Sequence, residues 1–487
     1  MRLAVRIAVA GIALAALLLA GYAATAKWLL SGPKLRSLIN SDPESSLLDW
    51  DEAWSIWPGR IRVRNLRIRG SDRNVQYIIV LKEARVRYSA LALASRRFRV
   101  TAVDGAGLSF RLRQKLTREE LRTTAVDLLP PVPGFDDPPL REEKPPAPPV
   151  EGNPWTLVIR GIAIERLEEI WVDAWRYEGA ASVRGEFLLR SGQRASVGPA
   201  SITFPGGLLR LGKAAALTKV DGKLEATFDE WDPRVVQGNA VWKEVTGQAR
   251  VAGPTESIAF LNHFLRASKE PRLSGGAGTL SAEGSIAHGL ARGDVVLEAR
   301  KARMERAGRT IVGDTAARLH VPEGNLETGR LVISGSRLEL TDARVTGSEA
   351  APGWWGKFLA RWGVLDRGLS ARVELECRDA RPLFFAFGVQ LPKWAQEILK
   401  LEGLRGSARV TLAPSLTVVR NLEVKGGKFV ILGDYEARKG IPSGAFLIDT
   451  GSLNVAVEIG GGMPHLRLIN AKPWFEERRA AQARPAE

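Results

Sequence analysis

Cysteine and histidine are almost absent from this chain, and each scarcity closes off a class of chemistry. Cys377 is the single cysteine, so no internal disulfide forms and no cysteine cluster can hold a metal. Its place in the run Val373-Glu374-Leu375-Glu376-Cys377 reads as a small core residue of an alternating strand. The four histidines, His263, His288, His320 and His465, stand far apart, with no His-x-x-x-His and no His-Glu-x-x-His, the spacings that set two imidazoles on one helical face. No acidic cluster has metal spacing, and no Gly-x-Ser-x-Gly elbow occurs. Gly275-Gly276-Ala277-Gly278 lacks the Lys-Ser/Thr of a phosphate loop and reads as a hairpin turn. The expectation is a protein that is no enzyme and uses no cofactor or metal; only a triad assembled from distant residues would escape this reading.

One long apolar run is present. Behind Arg2 and Arg6, the twenty residues Ile7 to Ala26 carry no charge, and as a helix they span roughly 30 Å, enough to cross a bilayer. Two readings stand side by side. The small triplet Ala24-Thr25-Ala26 fits a signal peptide cut after Ala26, while the length of the run, continuing through Gly21, Tyr22 and Ala23, favours an uncleaved single-pass anchor. Both export the body. Lys27, Lys34 and Arg36 offset the basic residues in front, and the short amino-terminal tail favours an inside start with a translocated domain.

The body is long for one core, so two or three cores or one elongated structure are expected. With 45% hydrophobic and 25% charged residues, disorder is not the default. The net charge of +16 is spread, not blocked. Ile61-Arg62-Val63-Arg64, Arg67-Ile68-Arg69, Arg85-Val86-Arg87, Arg97-Phe98-Arg99 and Arg111-Leu112-Arg113 set arginines on alternate positions, which in a strand is one face. A solvated sheet face explains this, as does attraction to anionic headgroups. Nucleic acid is excluded as a partner, since no helix-turn-helix, finger spacing or RNA-recognition signature is present.

Along the chain, 34–51 admits a short helix, and Leu48, Trp50, Trp54 and Ile56 read as strand, with tryptophans near the lipid-water boundary or in the core. Strands are expected over 60–69, 75–88 and 97–113, with a helix-prone break at Ser89 to Ala94. Nine prolines lie between Pro130 and Pro149. A segment so poor in backbone donors cannot sit inside a sheet, so 116–153 reads as a partly disordered excursion with a helical start over Thr117 to Val126. From Trp155 onward alternation recurs, in Leu157/Ile159, Leu209/Leu211, Leu224/Ala226/Phe228, Leu338/Leu340, Val418, Leu422/Val424 and Leu453/Val455/Val457/Ile459. Turn markers such as Pro205-Gly206-Gly207, Asp221-Gly222, Gly426-Gly427 and Gly460-Gly461-Gly462 separate many of these runs. Ser257 to Ala267, Trp354 to Val364 and Leu391 to Leu401 read as amphipathic pieces.

A many-stranded sheet with one apolar face must cover that face, and the helices here are too few. The expected fold class is mainly β: a long curved antiparallel sheet forming a groove, β-taco-like, with few short helices and one N-terminal transmembrane helix. A groove lined by aliphatic residues accepts acyl chains for the reason it accepts side chains, at about 0.8 kcal/mol per buried methylene.

Trp57-Pro58-Gly59-Arg60-Ile61-Arg62-Val63-Arg64-Asn65-Leu66, the stretch Ala84 to Leu91 leading to Arg97-Phe98-Arg99-Val100, and Val103-Asp104-Gly105-Ala106-Gly107-Leu108-Ser109-Phe110-Arg111 resemble the start of AsmA-like proteins. Ser443 to Leu447 and Leu453 to Gly460 are compatible with that family's closing strands. The resemblance, to the AsmA and TamB group and through it to chorein-type bridge proteins, implies an inner-membrane helix and a periplasmic β-groove that holds or conducts phospholipid toward the outer membrane. The expected layout is an anchor at 1–30, a first β region at 31–115, the Pro-rich excursion at 116–153, a β-groove domain at 154–475 and a disordered tail at 476–487. The lipid-binding lining is assigned to Ile61, Val63, Leu66, Ile68, Val373, Leu375, Val410, Leu412, Val455, Val457 and Ile459. Expected partners are phospholipids, the inner membrane and envelope or outer-membrane proteins. Two alternatives stay open: a scaffold in envelope assembly that uses sheet edges, and a closed sandwich whose aliphatics only fill a core.

Overall fold

The computed structural model describes residues 2–40, 46–71, 75–123, 130–135, 137, 139–141, 154–190, 194–232, 235–236, 238–265, 271–306, 309–345, 353–366, 368–379, 403–413, 415–427, 429–439, 441–460 and 463–483. The protein is mainly β, and its described residues form a long antiparallel-rich sheet of 27 strands with few helices. The chain divides into two compact units, Met1–Val251 with Ile286–Gly289, and Ala252–Ser285 with Leu290–Glu487. This cut falls inside the 154–475 region expected to be one domain.

The first unit opens with helix α1 (Arg2–Ser31) and the short α2 (Pro33–Ile39). The apolar run read as an anchor lies on α1, whose side chains are described from Leu17 onward. Among the described residues no helix is long and apolar enough to cross a membrane. Strands β1 (Ser46–Asp49) and β2 (Glu52–Trp54) both pair with β3 (Arg60–Ser71). β4 (Val75–Tyr88) and β5 (Arg97–Gln114) follow, joined by the single turn α3 (Ala90–Leu93). Strands β3, β4 and β5 and the α3 turn stand close to the sequence expectation, whereas the expected transmembrane helix is not found among the described residues.

The next connection departs from plain antiparallel order. β6 (Thr156–Ile164) and β7 (Leu167–Val172) run parallel to β5, paired first at Arg97–Thr156 and then from Leu108–Leu167. A parallel neighbour demands a crossover of a dozen or more residues, and the excursion is that crossover. It includes α4 (Arg118–Thr123) within the expected helical start, whose residues 124–126 lie outside the described residues. Its described part is packed where disorder was expected: Val132 is buried, and Leu116 and Arg141 exchange backbone bonds with Pro139 and Leu116 at 2.7 Å each. Residues 142–153 lie outside the described residues.

The unit continues through β8 (Trp175–Glu178), β9 (Ser182–Arg190), β10 (Arg194–Pro205), β11 (Leu208–Leu211), β12 (Ala214–Thr218), β13 (Asp221–Trp231) and the first part of β14 (Val245–Thr255), whose residues from Ala252 belong to the second unit. Asp221-Gly222, expected to be a turn, begins β13. β9 lies between β6 and β10, and β10 pairs with β13.

The second unit holds β15 (Arg272–Ala287), β16 (Leu290–Arg306), β17 (Arg309–Asn325), β18 (Arg330–Val332), β19 (Arg337–Val345), β20 (Trp354–Asp366) and β21 (Gly368–Cys377). These are followed by β22 (Leu404–Ala413), β23 (Leu416–Gly426), β24 (Phe429–Arg438), β25 (Ile441–Asp449), β26 (Asn454–Gly460) and β27 (Met463–Arg467). From β19 through β27 each strand pairs antiparallel with the next.

Four expectations are corrected here. Trp354 to Val364 is strand β20, not an amphipathic helix: spacing of four residues also satisfies period two, and pairing on both edges, to β19 and β21, outweighs helical propensity. Gly275 and Gly276 adopt φ of 62° and 78° inside β15 rather than in a hairpin turn. Of the piece Ser257 to Ala267, described to residue 265, Ile258–His263 is a 3-10 turn capped by Ser257 Oγ accepting from the Ala259 N–H at 3.1 Å. The tail from 476 is helix α5 (Ala471–Ala483) through its described length, with Phe475 buried against Leu447 and Ala456. The piece at Leu391 to Leu401 lies outside the described residues.

Candidate functional site

Residues directly opposite each other in a ladder share a face, so pairing register decides which apolar positions belong together. In the first unit Ile61 faces Val86, Val86 faces Val103, and Val103 pairs with Ile162. Leu66 leads in the same way through Leu81 and Leu108 to Leu167, and Ile68 through Ile79 and Phe110 to Ile170. A further row runs Ile159, Phe187, Val197, Phe228. Ile61, Val63, Leu66 and Ile68 therefore lie on one face. The step from Val63 to Leu66 breaks strict alternation, and Asn65 absorbs it by taking φ 49°, its amide donating to Asp51 Oδ2 at 2.7 Å. The arginines between these residues are exposed, whereas the four aliphatics are half-buried.

In the second unit the row Phe358, Leu375, Gly406, Val424, Ile431, Ile448, Val455 crosses seven strands. A neighbouring row runs Ala371, Val410, Val419, Tyr435, Gly444, Ile459. Val373 and Leu412 stand on the same face, as does Val457 opposite Phe446. The structure thus gathers all seven proposed lining residues of this unit on one side. Val419 rather than Val418 joins them, because Asn421, at φ 54° with its N–H bonded to Asp434 Oδ1 at 2.8 Å, shifts the alternation.

These positions are not equivalent. Val455, 2% exposed, belongs to a packed cluster with Trp354, Cys377, Leu404, Phe429, Ile431 and Ile448. The Trp354 indole donates to the Asp379 carbonyl at 2.8 Å there. Burial, then the negative charges of Asp379 and Glu376, pushes the Cys377 thiol up to about 12. Val455 is thereby a core residue, a correction to its assignment to the lining. Leu412, by contrast, is 40% exposed, and Val373, Leu375, Val410, Val457 and Ile459 are half-buried. The 3-10 turn at Ile258–His263 covers another part of this unit's apolar face, packing Ile258 against Leu297, Ala299 and Ala302.

The reverse faces are ionic. Lys357–Glu339, Arg405–Glu376 and Arg361–Glu374 pair across strands of the second unit. In the first unit the Pro-rich crossover lies on this reverse side. Arg111 donates to the Pro133 carbonyl at 3.0 Å, and the wholly buried Arg113 reaches Asp137 at 2.7 Å. Glu169, beside them, is drawn up by burial. The hydrogen bonds from Ser109 and Arg111 and the charges of Arg111 and Arg176 outweigh that and hold it below the usual carboxylate range. Among the described residues no group of three or more His, Cys, Asp or Glu could hold a metal.

Val86, Val103, Phe110, Phe358, Tyr435 and Phe446 share these faces and were not singled out from the sequence. Hairpin register was the signal available for part of this set: the Gly426-Gly427 turn fixes which residue of β23 stands opposite which of β24. No protein-family model matches the chain, and neither a curated protein nor a solved structure is similar to it.

Proposed function

We propose that this is an inner-membrane-anchored, periplasmic protein that holds or transfers phospholipids along the apolar sheet faces, toward the outer membrane. The observation that carries the reading is the half-buried state of the aliphatic rows. Ile61, Val63, Leu66, Ile68, Val373, Val410, Val457 and Ile459 share faces with other aliphatic residues across the ladders yet stay only half-buried. Such a surface is costly in water and favourable toward acyl chains. The mechanism is passive: tails move along the apolar rows, headgroups stay hydrated at the rim, and direction comes from gradients or partners. The resemblance to AsmA-like proteins supports the same reading, as does the uncharged stretch of α1. The chain is proposed to work without catalysis or cofactor.

Lipid mass spectrometry on the full chain, extracted in mild detergent, tests this. Stoichiometric phospholipid is the expected result. Protein that carries no lipid and instead co-purifies with an envelope protein would overturn it in favour of an assembly scaffold.

A further inference from the structure

We propose that the edge of the first unit beside α1 docks on the surface of an anionic phospholipid bilayer, with the α3 tip seated among the headgroups. This rests on the reading of α1 as the anchor. Tyr22 Oη and Ser55 Oγ are 2.7 Å apart, and the Trp50 indole donates to the Leu30 carbonyl at 3.0 Å. The uncharged run ends at Ala26, so Tyr22 lies about 6 Å inside it at the helical rise of 1.5 Å per residue. The turn that carries Ser55 is thereby held level with the membrane boundary.

That turn leaves Ile56 and Trp57 57% and 55% exposed. Its Gly59 carbonyl accepts from the Tyr88 N–H at 2.8 Å, which brings the end of β4 and α3 to the same edge, where Leu91 is 90% exposed. The Thr156 N–H donates to the Arg96 carbonyl at 3.0 Å and places Trp155, 53% exposed, alongside. Arg60, Arg87, Arg97 and Arg99 are exposed on the same strand ends, with Asp104 placed 3.4 Å from Arg87. Bare tryptophan and leucine ringed by arginine is ill suited to water. It matches an interface where indoles sit at headgroup level and guanidinium groups meet lipid phosphate.

Site-directed spin labelling of the full chain reconstituted in vesicles tests this. A nitroxide on Leu91→Cys is compared with one on Gln114→Cys, at the far end of β5, in phosphatidylglycerol-containing and in pure phosphatidylcholine vesicles. Cys377 is 0% exposed and contributes no background label. The expected result is a collision ratio, membrane-dissolved oxygen over water-soluble nickel chelate, several-fold higher at 91 than at 114, falling toward the value at 114 in pure phosphatidylcholine or in an Arg97→Glu/Arg99→Glu background. A water-like ratio at 91 in anionic vesicles would overturn docking, and equal ratios in the two vesicle types would overturn the anionic preference. Lipid retained after detergent extraction, measured on the same variants, reports the apolar faces separately, so an empty face is distinguished from a tip that does not dock.

Discussion

The phenyl ring of Phe446 occupies the space that a side chain on Gly433, its direct partner across β24 and β25, would need. Gly433→Ala forces the ring aside in a row that contains Val457. We expect a loss of about 1–3 kcal/mol, the usual cost of overpacking, read as a lower urea midpoint, together with reduced phospholipid carried by the purified chain.

Val455 and Val457 are two residues apart and predict opposite phenotypes. Val457→Asp places a carboxylate on the half-buried row and should remove bound lipid while leaving circular dichroism unchanged. Val455→Asp buries that carboxylate in the Trp354 cluster, where an unpaired charge costs several kcal/mol, and should yield protein that does not fold. Full lipid occupancy in folded Val457→Asp would refute the assignment.

Asp137 is an acidic partner of the wholly buried Arg113. Removing it by Asp137→Ala leaves that guanidinium with fewer compensating contacts, at about 1–3 kcal/mol. The local consequence is sharper, since the crossover loses its grip on the sheet. Limited proteolysis should cut the variant between 130 and 141 well before the parent chain.

Glu169 ties stability to acidity. Its folded-state pKa is depressed, so the ionised form is favoured in the native protein. That contribution is fully present above the unfolded carboxylate pKa, near 4.3, and is lost as pH falls through the lower folded value. Glu169→Gln should therefore be less stable than the parent at neutral pH, and the difference should shrink on acidification. Urea midpoints measured across the acid limb check the sign.

Cys377 should resist a thiol reagent in the native state, because burial and two neighbouring acidic residues keep it protonated. Titration with a chromogenic disulfide is expected to show no reactive thiol until guanidinium unfolds the chain, then one.

Much of this architecture was open to reading from residues alone. The 75–88 strand was legible to the residue because Arg85-Val86-Arg87 and the flanking turn residues mark period two and its ends. Ile61, Val63, Leu66 and Ile68 read as one face even though their spacing breaks parity, the contrast in polarity with the intervening arginines being strong. Trp354 to Val364 was misread because Trp354, Phe358 and Trp362 fit both periods and only the two neighbouring strands decide between them. Val455 was assigned to the lining because alternation gives a face but not depth: whether a row is sealed depends on Trp354 and Leu404, distant in sequence.

The parallel pairing of β6 with β5 has a consequence for the order of events at birth. One whole border of the eighteen-residue β5 has no mate until residues beyond 155 emerge, so until then it is a naked template for adventitious pairing. A proline-rich tether laid on the back of the same strand shortens the search its true neighbour must make, and a holding chaperone would find its clearest target there.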